Sequence, residues 1–204
     1  MDLETFQSLP APEIAGVVRS SGPKVCVFPI NGTRRWFMLE HTVPEGADWA
    51  TTYCDVAAER HIELYRMFFD HGIGTLLTPI FGPDLLERGE EYAKMAMEGL
   101  VLLATDPKFL QFYRDYDVRV RFYGDYRRFF APTAYEYVSG ICDDATAQTA
   151  SQSQHRLLCG VCAHEAAEMG GGLAGQYRSG HGRLPETGAR GQGGSGARGG
   201  PGSR

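Results

Sequence analysis

The chain has 204 residues, 43% of them hydrophobic and 22% charged, with a formal net charge of −5. This is the composition of a globular domain with one sizeable core, and no apolar run approaches a membrane span. Residues 1–167 carry −8 and residues 168–204 carry +3, so an acidic body excludes a broad electrostatic footprint for nucleic acid. The opening Met-Asp-Leu-Glu lacks the basic start of a signal peptide, and five cysteines are an odd number for a disulfide framework. The expectation is a cytoplasmic protein with reduced thiols and no integral membrane segment.

In chain order, Lys24-Val-Cys-Val-Phe-Pro-Ile30 reads as a buried strand that ends at the turn signal Asn31-Gly32. Residues from Thr51 to His71 follow as a helix, with Tyr53, Val56, Ala57, Leu64, Met67 and Phe68 as its apolar positions and Gly72 closing it in positive φ. Thr75–Phe81 reads as a second strand despite Pro79, which cannot donate to a ladder. Asp84 is placed as the cap of a helix that runs through Leu85, Leu86, Met95, Met97, Leu100 and Leu103 to Asp106-Pro107. Val118–Tyr123 alternates as a third strand. His155–Val161 is a fourth, followed by a helix from His164 that fades at Gly170-Gly-Gly172. The alternation implies an α/β fold with a parallel sheet covered on both faces, and ligand sites at the carboxyl ends of its strands.

Fourteen of the 26 glycines fall in residues 170–204, and Glu186–Arg204 hold eight. Such a segment cannot bury apolar surface, so the expected organisation is a domain over residues 1–185 and a disordered Gly-rich tail over 186–204.

Beyond the first strand stands Asn31-Gly-Thr-Arg-Arg-Trp-Phe37. A loop entering a helix there turns free N–H groups outward, and the forked guanidinium groups of Arg34 and Arg35 match phosphate oxygens and stabilise a departing diphosphate. No Walker motif supports a nucleoside triphosphate. The competing reading is a solvated arginine pair on a surface turn.

The stretch Gly22–Phe37 resembles the first-strand motif of the (Z)-prenyl synthase, or cis-prenyltransferase, superfamily, and most closely its bacterial terpene-synthase branch. The resemblance continues in order through Phe69-Asp-His-Gly-Ile73, Thr78-Pro-Ile-Phe81, Asp84-Leu-Leu-Glu-Arg-Gly89, Tyr123-Gly-Asp-Tyr126, His155-Arg-Leu157 and His181-Gly-Arg-Leu-Pro185. It implies a parallel sheet wrapped by helices, a homodimer, and ionisation of an allylic isoprenyl diphosphate whose cation passes to water or another nucleophile. It makes Gly32, Thr33, Arg34, Arg35 and Trp36 substrate-binding residues and places Asn31, Tyr53 and Tyr92 at the reacting centre. A phenol orients a nucleophile, or its ring stabilises positive charge. The ordinary alternative for both tyrosines is a buried aromatic with a satisfied hydroxyl.

Two features depart from the family. Its aspartate, which helps bind magnesium or assists ionisation, is Asn31 here, and a neutral amide is a poor ligand for a hard cation. A magnesium requirement is therefore an open expectation. Relatives also continue past the position of Pro185 into further strands and a second arginine-containing segment, where this chain has Glu186–Arg204. A truncated or frameshifted chain lacking the last strands is expected, and with it an alternative function: a non-catalytic relative that binds prenyl diphosphate or a full-length partner.

Three other clusters carry weaker expectations. Cys159, Cys162, His164 and His155 are four candidate zinc ligands, although side chains three apart on a strand face opposite sides unless the chain turns at Gly160. Small buried thiols are the simpler reading. Asp143-Asp144 is either an acidic metal pair or a solvated cap, and Arg127-Arg128 either adds positive potential at the third strand's exit or is solvated.

Overall fold

The computed structural model describes residues 1–163. Its elements in order are α1 (Leu3–Gln7), α2 (Ala11–Ser20), β1 (Val25–Val27), α3 (Thr33–Glu40), α4 (Trp49–Asp70), β2 (Thr75–Phe81), a 3-10 turn (Pro83–Arg88), α5 (Glu90–Thr105), α6 (Pro107–Asp115), β3 (Val118–Tyr123), α7 (Tyr126–Phe130), α8 (Glu136–Gln148) and β4 (His155–Val161). The expected helix from His164, the boundary at residue 185 and the Gly-rich tail lie outside the described residues.

All four strands are parallel, in the order β1-β2-β4-β3. The α/β class and three of the expected strands stand as read from the sequence. The first strand is shorter: after Phe28 N–H donates to the Leu77 carbonyl, Pro29 has no N–H to extend the ladder. Pro79 remains within β2, and the register shifts between Pro79 and Phe81.

Helix α4 is capped by the Asp48 carboxylate, which accepts from Thr51 N–H at 2.7 Å. It ends before Gly72, which has φ +93°. Its buried stripe is Ala58, Ile62, Tyr65 and Phe69, whereas Met67, expected on the apolar face, is exposed. Asp84 does not cap α5. Pro83 and Gly89 (φ +99°) set off a separate 3-10 turn, and α5 starts at Glu90. The Asp84 carboxylate instead accepts from Arg88.

One face of the sheet, with Leu76, Val118, Val120, Phe122, Leu157, Cys159 and Val161, forms the core with residues of α4, α5, α6 and α8. The start of β3 is tied to β4 by Asp117, whose carboxylate accepts from the N–H groups of Ser153 and Gln154 at 3.1 and 2.9 Å. At the opposite end of β3, Gly124 has φ +106°, and a Cβ there would lie 2.2 Å from the Val161 carbonyl oxygen. This close approach brings the exits of β3 and β4 together.

The weaker clusters resolve. Asp143, on α8, pairs with Arg127, whose guanidinium also lies over the Tyr126 ring. Cys159 is buried in the core, and Cys162 lies beyond the strand in positive φ. His155 stacks on Phe69 with ring centroids 4.3 Å apart, and the four residues from His155 to Cys159 span about 13 Å of strand. Joint zinc coordination by these residues does not form, and no group of three metal-ligating side chains occurs among the described residues. His164 lies outside them. Burial raises both thiols, that of Cys162 to about 11. All five cysteines are free. No described helix is long and apolar enough to cross a membrane.

Candidate active site

A cavity of about 540 Å³ opens at the carboxyl ends of β1 and β2 and runs between α4 and α5. Its position follows from the parallel sheet, whose strand exits leave a crevice for the following loops.

At one end, Gly32 takes φ +76° at the start of α3 with no side-chain cap. The first N–H of the helix to find an intrahelical acceptor is that of Trp36, bonded to the Gly32 carbonyl at 2.9 Å. Among the described residues no backbone acceptor takes the amides of Thr33, Arg34 and Arg35, which lie at the positive end of the helix dipole. The side chains of Arg34 and Arg35 are exposed at the same place and line the cavity.

Thr33 Oγ1 and Tyr53 OH are 2.8 Å apart, joining α3 to α4. The Tyr53 ring stacks on Trp49 and meets Phe37 edge-on, with centroids 5.3 and 5.5 Å away. Burial raises its pKa, with the Thr33 hydrogen bond and Arg34 acting in the opposite direction, so the phenol is protonated at neutral pH.

Tyr92, on the first turn of α5, lies between two guanidinium groups. Arg34 and Arg88 stand 5.4 and 5.2 Å from its ring centroid, and Arg88 also donates to its hydroxyl at 3.2 Å. Asp84 holds Arg88 through two contacts of 2.8 Å. Three arginines, one tyrosine ring and a helix N-terminus thus meet at one mouth.

Inside the mouth the chemistry changes. Ala57 and Ala58 of α4 share the lining with Ala96 and Gly99 of α5, so small side chains leave room between the helices. Leu102, Leu103 and Phe109 line it farther in. A positively charged mouth leading to an apolar channel accommodates an amphiphile with an anionic head.

Asn31, Gly32, Thr33, Arg34, Arg35, Tyr53 and Tyr92 all line this cavity. Trp36 is not among the lining residues: it meets His41 edge-on, with ring centroids 4.9 Å apart. Arg88 and His61 also line the cavity. Arg88 had a usable signal, an arginine four residues after Asp84 and four before Tyr92, just past a strand exit.

The mouth does not fit a dedicated magnesium site. Asn31 offers an amide, and Asp84, the sole carboxylate lining the cavity among the described residues, is engaged by Arg88.

A parallel sheet with an arginine-lined mouth and an apolar channel at its strand exits matches the expected class, and the sequence likeness points to the (Z)-prenyl synthase superfamily. It is 42% identical over 181 residues, 88% of its length, to tuberculosinyl adenosine transferase of Mycobacterium tuberculosis (strain CDC 1551 / Oshkosh), and spans 60% of the length of that relative. Among solved structures it is similar to lavandulyl diphosphate synthase from Lavandula x intermedia, in complex with dimethylallyl diphosphate. That likeness has a TM-score of 0.49 and 14% identity, and covers 82% of this chain and 65% of the other. No protein-family model matches the chain.

Proposed function

We propose that the chain acts on an allylic isoprenyl diphosphate as a terpene synthase or prenyltransferase. The observation that carries this reading is the continuity of one cavity, from the amides of α3 and Arg34, Arg35 and Arg88 to the channel between α4 and α5. The diphosphate binds at the mouth through charge-assisted hydrogen bonds, and the prenyl chain lies in the channel. The allylic C–O bond breaks and its electron pair leaves with the diphosphate, whose growing charge the arginines and helix amides stabilise. Tyr53 and Tyr92 border the resulting cation, and the Tyr53 hydroxyl orients water or another nucleophile toward it. The 42% identity to a tuberculosinyl adenosine transferase supports prenyl transfer.

Incubation with geranyl, farnesyl and geranylgeranyl diphosphates, with and without magnesium, tests the proposal. Diphosphate release accompanied by a prenyl alcohol or adduct is expected. A second reading, a non-catalytic relative that binds prenyl diphosphate or a full-length partner, is motivated by Asn31, which offers an amide at the mouth. Tight binding without release in the same assay favours it. Sedimentation velocity tests the homodimer that the family resemblance implies.

A further inference from the structure

Tyr53, Ala57 and His61 are spaced four residues apart on one face of α4, and all three line the cavity. At the rise of an α-helix His61 is about 12 Å farther along than Tyr53. It shares this inner region with Leu102, Leu103 and Phe109, where Lys108 also ties α6 to Glu59 of α4 at 2.7 Å. His61 is thus an ionisable side chain in the part of the channel that is otherwise hydrocarbon.

The tautomer follows from one contact. His61 Nδ1 is 2.6 Å from the Ala57 carbonyl oxygen, which only accepts, so Nδ1 carries the proton and donates. In the neutral ring Nε2 is then a bare acceptor, and it makes no hydrogen bond among the described residues. Burial lowers the pKa of His61 from its ordinary value, which favours the neutral ring. A hydrocarbon chain laid against Nε2 would remove water from an acceptor and return no donor, whereas a hydroxyl would pair with it.

We propose that His61 is a specificity-determining residue, whose Nε2 selects isoprenyl diphosphates that carry a hydrogen-bond donor at the depth of His61 over all-hydrocarbon chains of equal length. This rests on the reading of the cavity as a prenyl diphosphate site, and the two are separable. Titration calorimetry uses dimethylallyl diphosphate, too short to reach His61, then farnesyl diphosphate and its 12-hydroxy derivative.

The wild-type chain is expected to bind the hydroxylated ligand about tenfold more tightly than farnesyl diphosphate. His61→Leu reverses the order, and His61→Asn, which retains an acceptor, preserves part of it. All three proteins bind dimethylallyl diphosphate alike. Failure of the wild type to bind dimethylallyl diphosphate overturns the cavity reading itself. Binding of that ligand with no preference between the two longer ones, or a preference that survives in a folded His61→Leu chain, overturns the role of His61 alone. Should His61→Leu not fold, the wild-type preference and its partial retention in His61→Asn still decide the matter.

Discussion

Thr33 and Tyr53 meet through their hydroxyls at 2.8 Å, so the first turn of α3, which presents the proposed diphosphate cradle, is coupled to the helix that forms one wall of the channel. Either oxygen can donate.

Removing that phenol separates two roles. Tyr53→Phe keeps the ring against Trp49 and Phe37 but loses the hydroxyl. Stability is expected to change by no more than about 1 kcal/mol, the net worth of one hydrogen bond. Turnover of an allylic diphosphate should fall by about 100-fold if the hydroxyl positions the nucleophile. A melting curve together with single-turnover kinetics measures both, and undiminished turnover would leave only the ring with a function.

Arg34 and Arg35 are exposed and make no ion pair among the described residues. Their joint replacement by Ala should leave the fold intact while removing affinity for inorganic diphosphate, at about 1.5–3 kcal/mol for each lost charge-assisted contact. Unchanged affinity by calorimetry in a folded double variant would remove the cradle assignment. Arg88→Ala should weaken binding as well and loosen Tyr92, because Arg88 contacts both its ring and its hydroxyl.

Asn31→Asp restores a carboxylate at the mouth, beside the first amides of α3. The variant is expected to gain a magnesium dependence of prenyl diphosphate binding that the parent lacks, since a carboxylate oxygen suits a hard cation and an amide does not. Titrations with and without magnesium provide the comparison. Equal behaviour of the two proteins would show that Asn31 does not limit metal use.

His155 and His61 both have pKa values lowered chiefly by burial, so each ring is neutral in the fold and readily protonated once unfolded. Where the unfolded chain binds more protons, stability rises with pH. The contribution of these rings is therefore complete above their unfolded pKa, about 6.5, and lost as pH falls below it toward the lowered folded values. Urea midpoints should drop across that window, and His155→Phe, which keeps an aromatic on Phe69, should flatten the slope. An identical slope in the variant would assign the loss to other groups.

Gly124→Ala addresses the exit of β3. With φ +106° and a Cβ position 2.2 Å from the Val161 carbonyl oxygen, backbone must move. A loss of at least about 2 kcal/mol is expected from positive-φ strain and the clash together, whereas Gly99→Ala, inside α5 and with nothing within 4 Å, should stabilise the chain by about 0.5–1 kcal/mol.

Local chemistry alone determined much of the molecule. The short apolar runs at Thr75–Phe81, Val118–Tyr123 and His155–Val161 match the observed strands because local pattern and turn residues act over a few neighbours. Asn31-Gly32 marks the entry to α3 for the same reason: only a residue without Cβ takes φ +76° freely. The segments 107–115 and 136–148 were not read as helices, since Phe109, Phe112, Val138 and Cys142 gain their burial against elements distant in sequence. Met67 shows the converse, an apolar residue at helical spacing that packing leaves outside. Strand order was equally hidden: β4 enters between β2 and β3, and no property of residues 155–161 announces its neighbours. The site divides in the same way. Its arginine pair is contiguous in sequence, but Tyr53 comes to Thr33 across 20 residues, and Tyr92, already local to Arg88, meets Arg34 only through tertiary packing. Hydrogen bonds and cation–ring contacts reach only a few ångströms, so these partnerships exist only after the sheet has set where each helix begins.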